Sequence, residues 1–216
     1  MDIDIEWEDT PDSKFTAITT DIDTFDVVDK VLRLREIWIS RSNEFPFFTL
    51  GRCAYLDGKT DAYYKDSAWQ NNILLGEFNN LYETLLKSLS EVLKEDVFLA
   101  HDLSIPGFHI FPSDSKFLSI AGKWHQDYPH ITLGLGESDT FAFTLPIKLP
   151  VSGGGMDFID EFHQPQHLAY NERDLVLHNG DTVHRIAGLK EYIPNEYRIT
   201  MQGHIVRRNG DLEVFW

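Results

Sequence analysis

The chain has 216 residues, 42% of them hydrophobic and 25% charged, a globular composition long enough to bury a substantial core as one domain. Its 19 Lys and Arg stand against 35 Asp and Glu, a formal charge of −16, and long-range repulsion of phosphate at that charge argues against a nucleic acid partner. With Cys53 as the sole cysteine, an intramolecular disulfide and a cysteine-rich zinc site are excluded.

Apolar runs are short and interrupted, so no membrane span is expected. The N-terminus, MDIDIEWEDTPDSK, is acidic where a secretory signal is basic and then apolar, and the cytoplasm is the expected location. Residues 1–23 read as an acidic, irregular lead-in. From Thr24, apolar residues at three and four spacing (Val27, Val31, Leu34, Trp38) predict a helix running to about residue 42, with Asp23 or Thr24 as its N-cap. Residues 44–58 read as strand and turn. A second helix is predicted over 72–94 from the repeat Leu74, Phe78, Leu81, Leu85 and Leu89.

Beyond Asp96 the texture changes to short apolar runs separated by Gly, Pro, Asn or Asp, including VFLAHDLSIPGFHIF, HITLGLGES, TFAFTLPIKL, DLVLHNGD, EYRITMQGHIV and LEVFW. Eight or nine closely spaced strands without helical interruptions predict an antiparallel sandwich or barrel. The expected fold is mostly β with α: a double-stranded β-helix, or jelly roll, over residues 97–216, with residues 24–96 forming a helical and mixed support layer within one domain, 1–216.

The segment KWHQDYPH places His125 and Asp127 two residues apart. In a strand, such residues point to one face and can offer an imidazole nitrogen and a carboxylate oxygen to one ion. A third ligand is available in NGDTVHRI, where His184 follows a turn. Two imidazoles and a carboxylate form the facial set of non-haem Fe(II) oxygenases, which leaves coordination positions open for cosubstrate and dioxygen. In EYRITMQGHIV, Tyr197, Ile199, Met201, Gly203 and Ile205 share one face, and Arg198, Thr200, Gln202 and His204 the other. An inward Arg beside a Thr is suited to hold a carboxylate.

The ordered set His125-x-Asp127, SGGGMDF (152–158), His184 and Arg198-x-Thr200 resembles the Fe(II)/2-oxoglutarate-dependent dioxygenases over roughly residues 98–207. The resemblance implies iron on His125, Asp127 and His184, the distal carboxylate of 2-oxoglutarate on Arg198 with Thr200 as a weaker candidate, and O2 as oxidant. Asp127 fills the position that the family's halogenases leave to Gly or Ala, so hydroxylation or a related C–H oxidation is implied, with release of succinate and CO2. A small-molecule substrate such as an amino acid or derivative is the leading expectation. A protein side-chain hydroxylase and a non-catalytic β-helix binding module are the alternatives.

Trp124, Tyr128, His130, Met156 and His204 are candidates for a substrate pocket, and ordinary packing is the competing role for each. Arg185 is the reserve carboxylate anchor. His101, His109 and His178 take structural roles. DGKT (57–60) lacks the glycine and the strand-loop-helix context of a phosphate loop, and Pro165 disqualifies HQPQH (163–167) as a helical zinc motif. Oligomeric state is left open by the sequence.

Overall fold

The computed structural model describes residues 15–118, 122–136 and 140–216. The acidic stretch 1–14 lies outside the described residues. The end of the expected lead-in is instead a strand, β1 (Phe15–Thr19), paired antiparallel with a strand 155 residues later.

Helix α1 (Thr24–Arg33) starts where the sequence places it, with the Asp23 carboxylate accepting from the backbone N–H groups of Phe25 and Asp26. It ends earlier than the apolar spacing suggests. Its last turn passes into a 3-10 turn (Arg35–Ile37), and the Trp38 indole donates to the carbonyl of Val31 at 3.1 Å, satisfying one of the acceptors freed at the helix end. Short strands β2 (Ile39–Ser40) and β3 (Phe48–Leu50) follow, then a single helical turn, α2 (Ala54–Asp57), where only a turn was expected.

The long helix α3 (Asp61–Leu93) begins eleven residues before the predicted start. Thr60 caps it, accepting from the Tyr63 N–H, and the buried face of its first turns is Tyr63, Ser67 and Gln70. Two of these are polar, so the helical period is invisible to an apolar count. Ser67 is satisfied by the Tyr63 carbonyl and the Ser104 hydroxyl. The helix kinks at Phe78 (φ −122°, ψ 25°) and closes on Lys94 in the left-handed conformation.

The remaining elements are β4 (Val97–Leu99), β5 (Gly107–Pro112), α4 (Pro129–Leu133), β6 (Thr140–Lys148), β7 (Met156–Ile159), β8 (Pro165–Leu168), β9 (Asp174–Asn179), β10 (His184–Ile186), β11 (Tyr197–Arg208) and β12 (Asp211–Phe215). The run HITLGLGES, read as a strand, opens with helix α4. Pro129 at its first position and Gly134 in the left-handed region mark the two ends, and five residues are too few for an apolar run to declare its period.

The large sheet runs β1-β9-β6-β11-β5-β3-β2, with β12 joined to β11 and β4, and a smaller sheet runs β10-β7-β8. Pairing is antiparallel except for β12 with β4. On one face of the large sheet, Phe108, Ile110, Phe143, Leu145, Ile199, Met201 and Ile205 pack against Leu74, Phe78, Leu81, Leu85 and Leu89 of α3 and Val27 and Val31 of α1. The other face meets the small sheet across a cavity. This is the expected double-stranded β-helix with helices covering its large sheet. Among the described residues, no helix is long and apolar enough to cross a membrane.

Candidate metal centre and cavity

Strand β11 crosses the middle of the large sheet and alternates as its sequence requires. Ile199, Met201 and Ile205 enter the helix-covered core, while Arg198, Gln202 and His204 line the cavity. Across the neighbouring strands, Ala142 of β6 pairs with His204 on one side and His178 of β9 on the other. All three line the cavity.

His125 and His184 approach from the opposite side. They exchange two backbone hydrogen bonds of 2.9 Å, forming an isolated bridge that is all that remains of the strand expected at KWHQDYPH. Asp127 is held by its N–H on the Gly180 carbonyl, also at 2.9 Å. Gly180 leaves no room for a side chain, since a Cβ there would lie 2.8 Å from the Asp127 carbonyl oxygen and 2.4 Å from the Thr140 hydroxyl.

These backbone links gather three ligand atoms within 4.8 Å of one another, one each from His125, Asp127 and His184. His125 Nε2 is 3.9 Å from Asp127 Oδ1, and His184 Nε2 is 3.5 Å from Asp127 Oδ2. Each imidazole donates its Nδ1–H to the carbonyl two residues back, His125 to Lys123 at 2.7 Å and His184 to Thr182 at 2.9 Å. That fixes the tautomer and leaves each Nε2 lone pair aimed at the shared point. Burial alone would raise the Asp127 carboxyl, but His204, His184, His178 and His125 around it hold it below its ordinary value. The cluster therefore offers a carboxylate oxygen and two imidazole nitrogens, a donor set suited to a divalent transition metal.

The cavity, of about 250 Å³, joins this cluster to Arg198. Arg198 is 5% exposed, and its Nε and Nη1 have no hydrogen-bond partner. Its guanidinium lies over Phe111 and Tyr170, at 5.7 and 5.9 Å, and no carboxylate pairs with it among the described residues. Burial pushes its pKa down from the usual arginine value, with Tyr170 opposing. Thr200 is fully buried with an unpartnered hydroxyl, on the same side of β11, but does not itself reach the cavity surface.

Of the other pocket candidates, Met156 and His204 line the cavity and Trp124, Tyr128 and His130 do not. Trp124 lies over the Arg185 guanidinium at 4.4 Å, Tyr128 precedes α4 with much of its ring exposed, and His130 is buried on α4. Arg185 donates to Asp157 at 3.0 Å and points away from the anchor role held in reserve for it. Conversely, His109 and His178, assigned structural roles from sequence, line the cavity, as does Tyr55, whose hydroxyl is hydrogen-bonded to His109 Nε2. The polar position of His109 in the apolar run GFHIF was the available signal. Tyr55 had none.

The sequence matches no protein-family model and no curated protein. Solved structures, however, share the architecture. The α-ketoglutarate-dependent non-heme epimerase SnoN of nogalamycin biosynthesis superposes with a TM-score of 0.54 at 11% identity, over 93% of this chain and 83% of its own. An N-substituted L-amino acid dioxygenase from Burkholderia ambifaria AMMD, solved with α-ketoglutarate, gives 0.51 at 13% identity, over 76% and 73%. The α-ketoglutarate-dependent carbocyclase SnoK, from the same pathway as SnoN, gives 0.51 at 9% identity, over 95% and 93%. The fold is that of the 2-oxoglutarate-dependent oxygenases. The cavity between the two sheets holds both the three-ligand cluster and an unpaired buried cation.

Proposed function

We propose that this chain is an Fe(II)- and 2-oxoglutarate-dependent oxygenase that hydroxylates a small molecule and releases succinate and CO2. Arg198 carries the reading. An unpaired guanidinium in the interior is costly, and burial of this kind is sustained where a ligand completes it. A carboxylate that ends beside Arg198 while its other end faces the three-ligand cluster describes a dicarboxylic 2-oxoacid.

Bound iron and 2-oxoglutarate supply, with O2, the oxidising power for C–H hydroxylation. The chain's own residues do the holding. His125, Asp127 and His184 would hold the ion, and the carbonyls of Lys123 and Thr182 fix the orientation of the two rings. Arg198 offers a two-donor fork to the distal carboxylate, and Thr200, behind the cavity surface, stays the weaker candidate. His109, held neutral by burial, lies within electrostatic reach of both Arg198 and Asp127 and is steadied by Tyr55. The apolar lining keeps water from the reacting centre. A reducing cytoplasm, which leaves the buried Cys53 as a thiol, is the compartment we assign.

The test is anaerobic addition of Fe(II) and then 2-oxoglutarate, followed by visible absorption. A weak band that needs both additions is expected in the wild type. Arg198→Ala should need more than about ten times as much 2-oxoglutarate, the loss of a charge-assisted pair. Metal binding without any band in the wild type would replace this reading with that of a non-catalytic binding module.

A further inference from the structure

Outside the metal cluster and Arg198, the cavity wall has a second character. Phe45 and Phe47, from the loop leading into β3, Phe111 of β5 and Phe117 of a 3-10 turn line it together. Phe47 and Phe111 are stacked at 4.5 Å with 1° between their planes, and Phe117 stands edge-on to Phe45 at 5.6 Å and to Phe111 at 5.8 Å. All four rings are partly exposed. The same cavity is lined by Glu196, immediately before β11. One of its carboxylate oxygens accepts from the Val151 N–H at 3.2 Å, and no cation pairs with it among the described residues.

The charges of the wall are unequal. Arg198 is the one Lys or Arg among the described lining residues, and the preceding reading commits it to 2-oxoglutarate. A second anionic group entering this cavity would meet Glu196 and find no second Lys or Arg. A positively charged group would meet an unpaired carboxylate in a cavity that also carries four aromatic rings, whose faces attract cations. The formal charge of −16 acts in the same direction at long range, drawing cations and repelling anions.

We infer that the substrate is a hydrophobic amine without a carboxylate, its apolar or aromatic body among Phe45, Phe47, Phe111 and Phe117 and its ammonium on Glu196. This deepens the oxygenase reading and rests on its assignment of Arg198. It also narrows the substrate expected from sequence, because a free amino acid brings a carboxylate that this wall does not accommodate. At about 250 Å³ the cavity is smaller than the roughly 300–1,000 Å³ of sites that enclose drug-sized ligands, so only one end of the substrate enters beside 2-oxoglutarate.

The experiment measures equilibrium binding by calorimetry to the anaerobic protein loaded with Fe(II) and 2-oxoglutarate. The probes are phenethylamine and 4-phenylbutylamine, with 3-phenylpropionate and 2-phenylethanol as acidic and neutral counterparts. The visible band is recorded on each sample as evidence of an intact cosubstrate site. The amines are expected to bind at least about tenfold more tightly than the acid or the alcohol, and Glu196→Gln, which keeps an acceptor for Val151, should erase that preference. Phe111→Ala should weaken every probe. Equal or tighter binding of the acid or the alcohol, a preference that survives Glu196→Gln, or no amine binding in samples that show the band would each overturn the inference while leaving the oxygenase reading in place. Absence of the band would instead count against the oxygenase reading.

Discussion

His125 and His184 are joined through their main chains before any ion arrives, each N–H bonded to the other's carbonyl at 2.9 Å. Their rings, 4.4 Å apart between centroids, inherit that alignment. Affinity at such a site depends on the residues that carry the backbone as well as on the ligands themselves, and Gly180 is where this is easiest to test.

Gly180→Ala should force apart the Gly180 and Asp127 segments, because the added Cβ meets the Asp127 main-chain carbonyl as well as the Thr140 hydroxyl. A loss of about 1–3 kcal/mol in stability is expected, together with weaker Fe(II) binding. Gly76→Ala is the matched control: Gly76 is exposed within α3 with nothing within 4 Å of the new methyl, and the change should stabilise by roughly 0.5–1 kcal/mol. Urea unfolding with and without metal separates the two effects.

Arg198→Met should make the apoprotein more stable and the loaded protein less so. Removing an unpartnered buried guanidinium relieves a burial penalty of about 1–3 kcal/mol, and the melting temperature without ligand is expected to rise. Added 2-oxoglutarate, which should raise the wild-type melting temperature in the presence of a redox-inert divalent metal, should no longer do so in the variant. A destabilised apoprotein would mean that Arg198 is paired within the fold.

Asp57 anchors α2, and through it Tyr55. Its carboxylate accepts from Arg41 at 2.8 and 2.9 Å, from Arg52 at 2.8 Å and from the Cys53 N–H at 2.9 Å. Burial pushes its pKa up, but the Arg41 and Arg52 guanidiniums and the Cys53 N–H outweigh this and hold it below the usual value of 3.8. A carboxylate depressed in the folded state contributes stability above its unfolded pKa and loses it as pH falls through the folded one. The contribution should therefore be intact at neutral pH and begin to fall below about pH 3.8, continuing down through the lower folded pKa. Asp57→Ala, which leaves Arg41 buried and unpaired, should cost about 3 kcal/mol at pH 7 and much less at pH 2.

His178 gives the complementary pH dependence. Burial, aided by the neighbouring His184, brings its pKa from 6.5 to about 4. A histidine held neutral in the fold contributes stability that is complete above pH 6.5 and is lost as pH falls toward 4, roughly 3 kcal/mol at 1.36 kcal/mol per unit. Metal-free His178→Gln should show a shallower decline in urea midpoint between pH 7 and pH 4.5 than the wild type. Parallel declines would mean that His178 is not buried in its neutral form.

The ease of reading differed along the chain for physical reasons. Strand β11 was legible because its two faces meet unlike surroundings, so period two is written in polarity: Ile199 and Met201 on one side, Arg198 and Gln202 on the other. The cluster ligands were legible because chemistry restricts which residues can bind metal. The first third of α3 was not, since its buried face uses Ser67 and Gln70, and their burial is tolerated only by partners distant in sequence, such as Ser104. Phe45 and Phe47, in a segment read as strand and turn, and Phe117, in a run read as strand, carried no motif, and only the closure of the β-helix brings them to the same cavity as His184.

The bridge between the two histidines also makes the expected ion a cross-link. Tying residue 125 to residue 184 closes a loop of about 60 residues, and by closure entropy alone a permanent tie of that span is worth roughly 4 kcal/mol. That loop contains α4, β6, β7, β8 and β9, nearly half of the β-helix. Iron supply would then govern the lifetime of the chain as well as its turnover: a cell starved of the metal would hold copies whose central segment opens more readily to proteases, and the pool of protein would shrink with the pool of its cofactor.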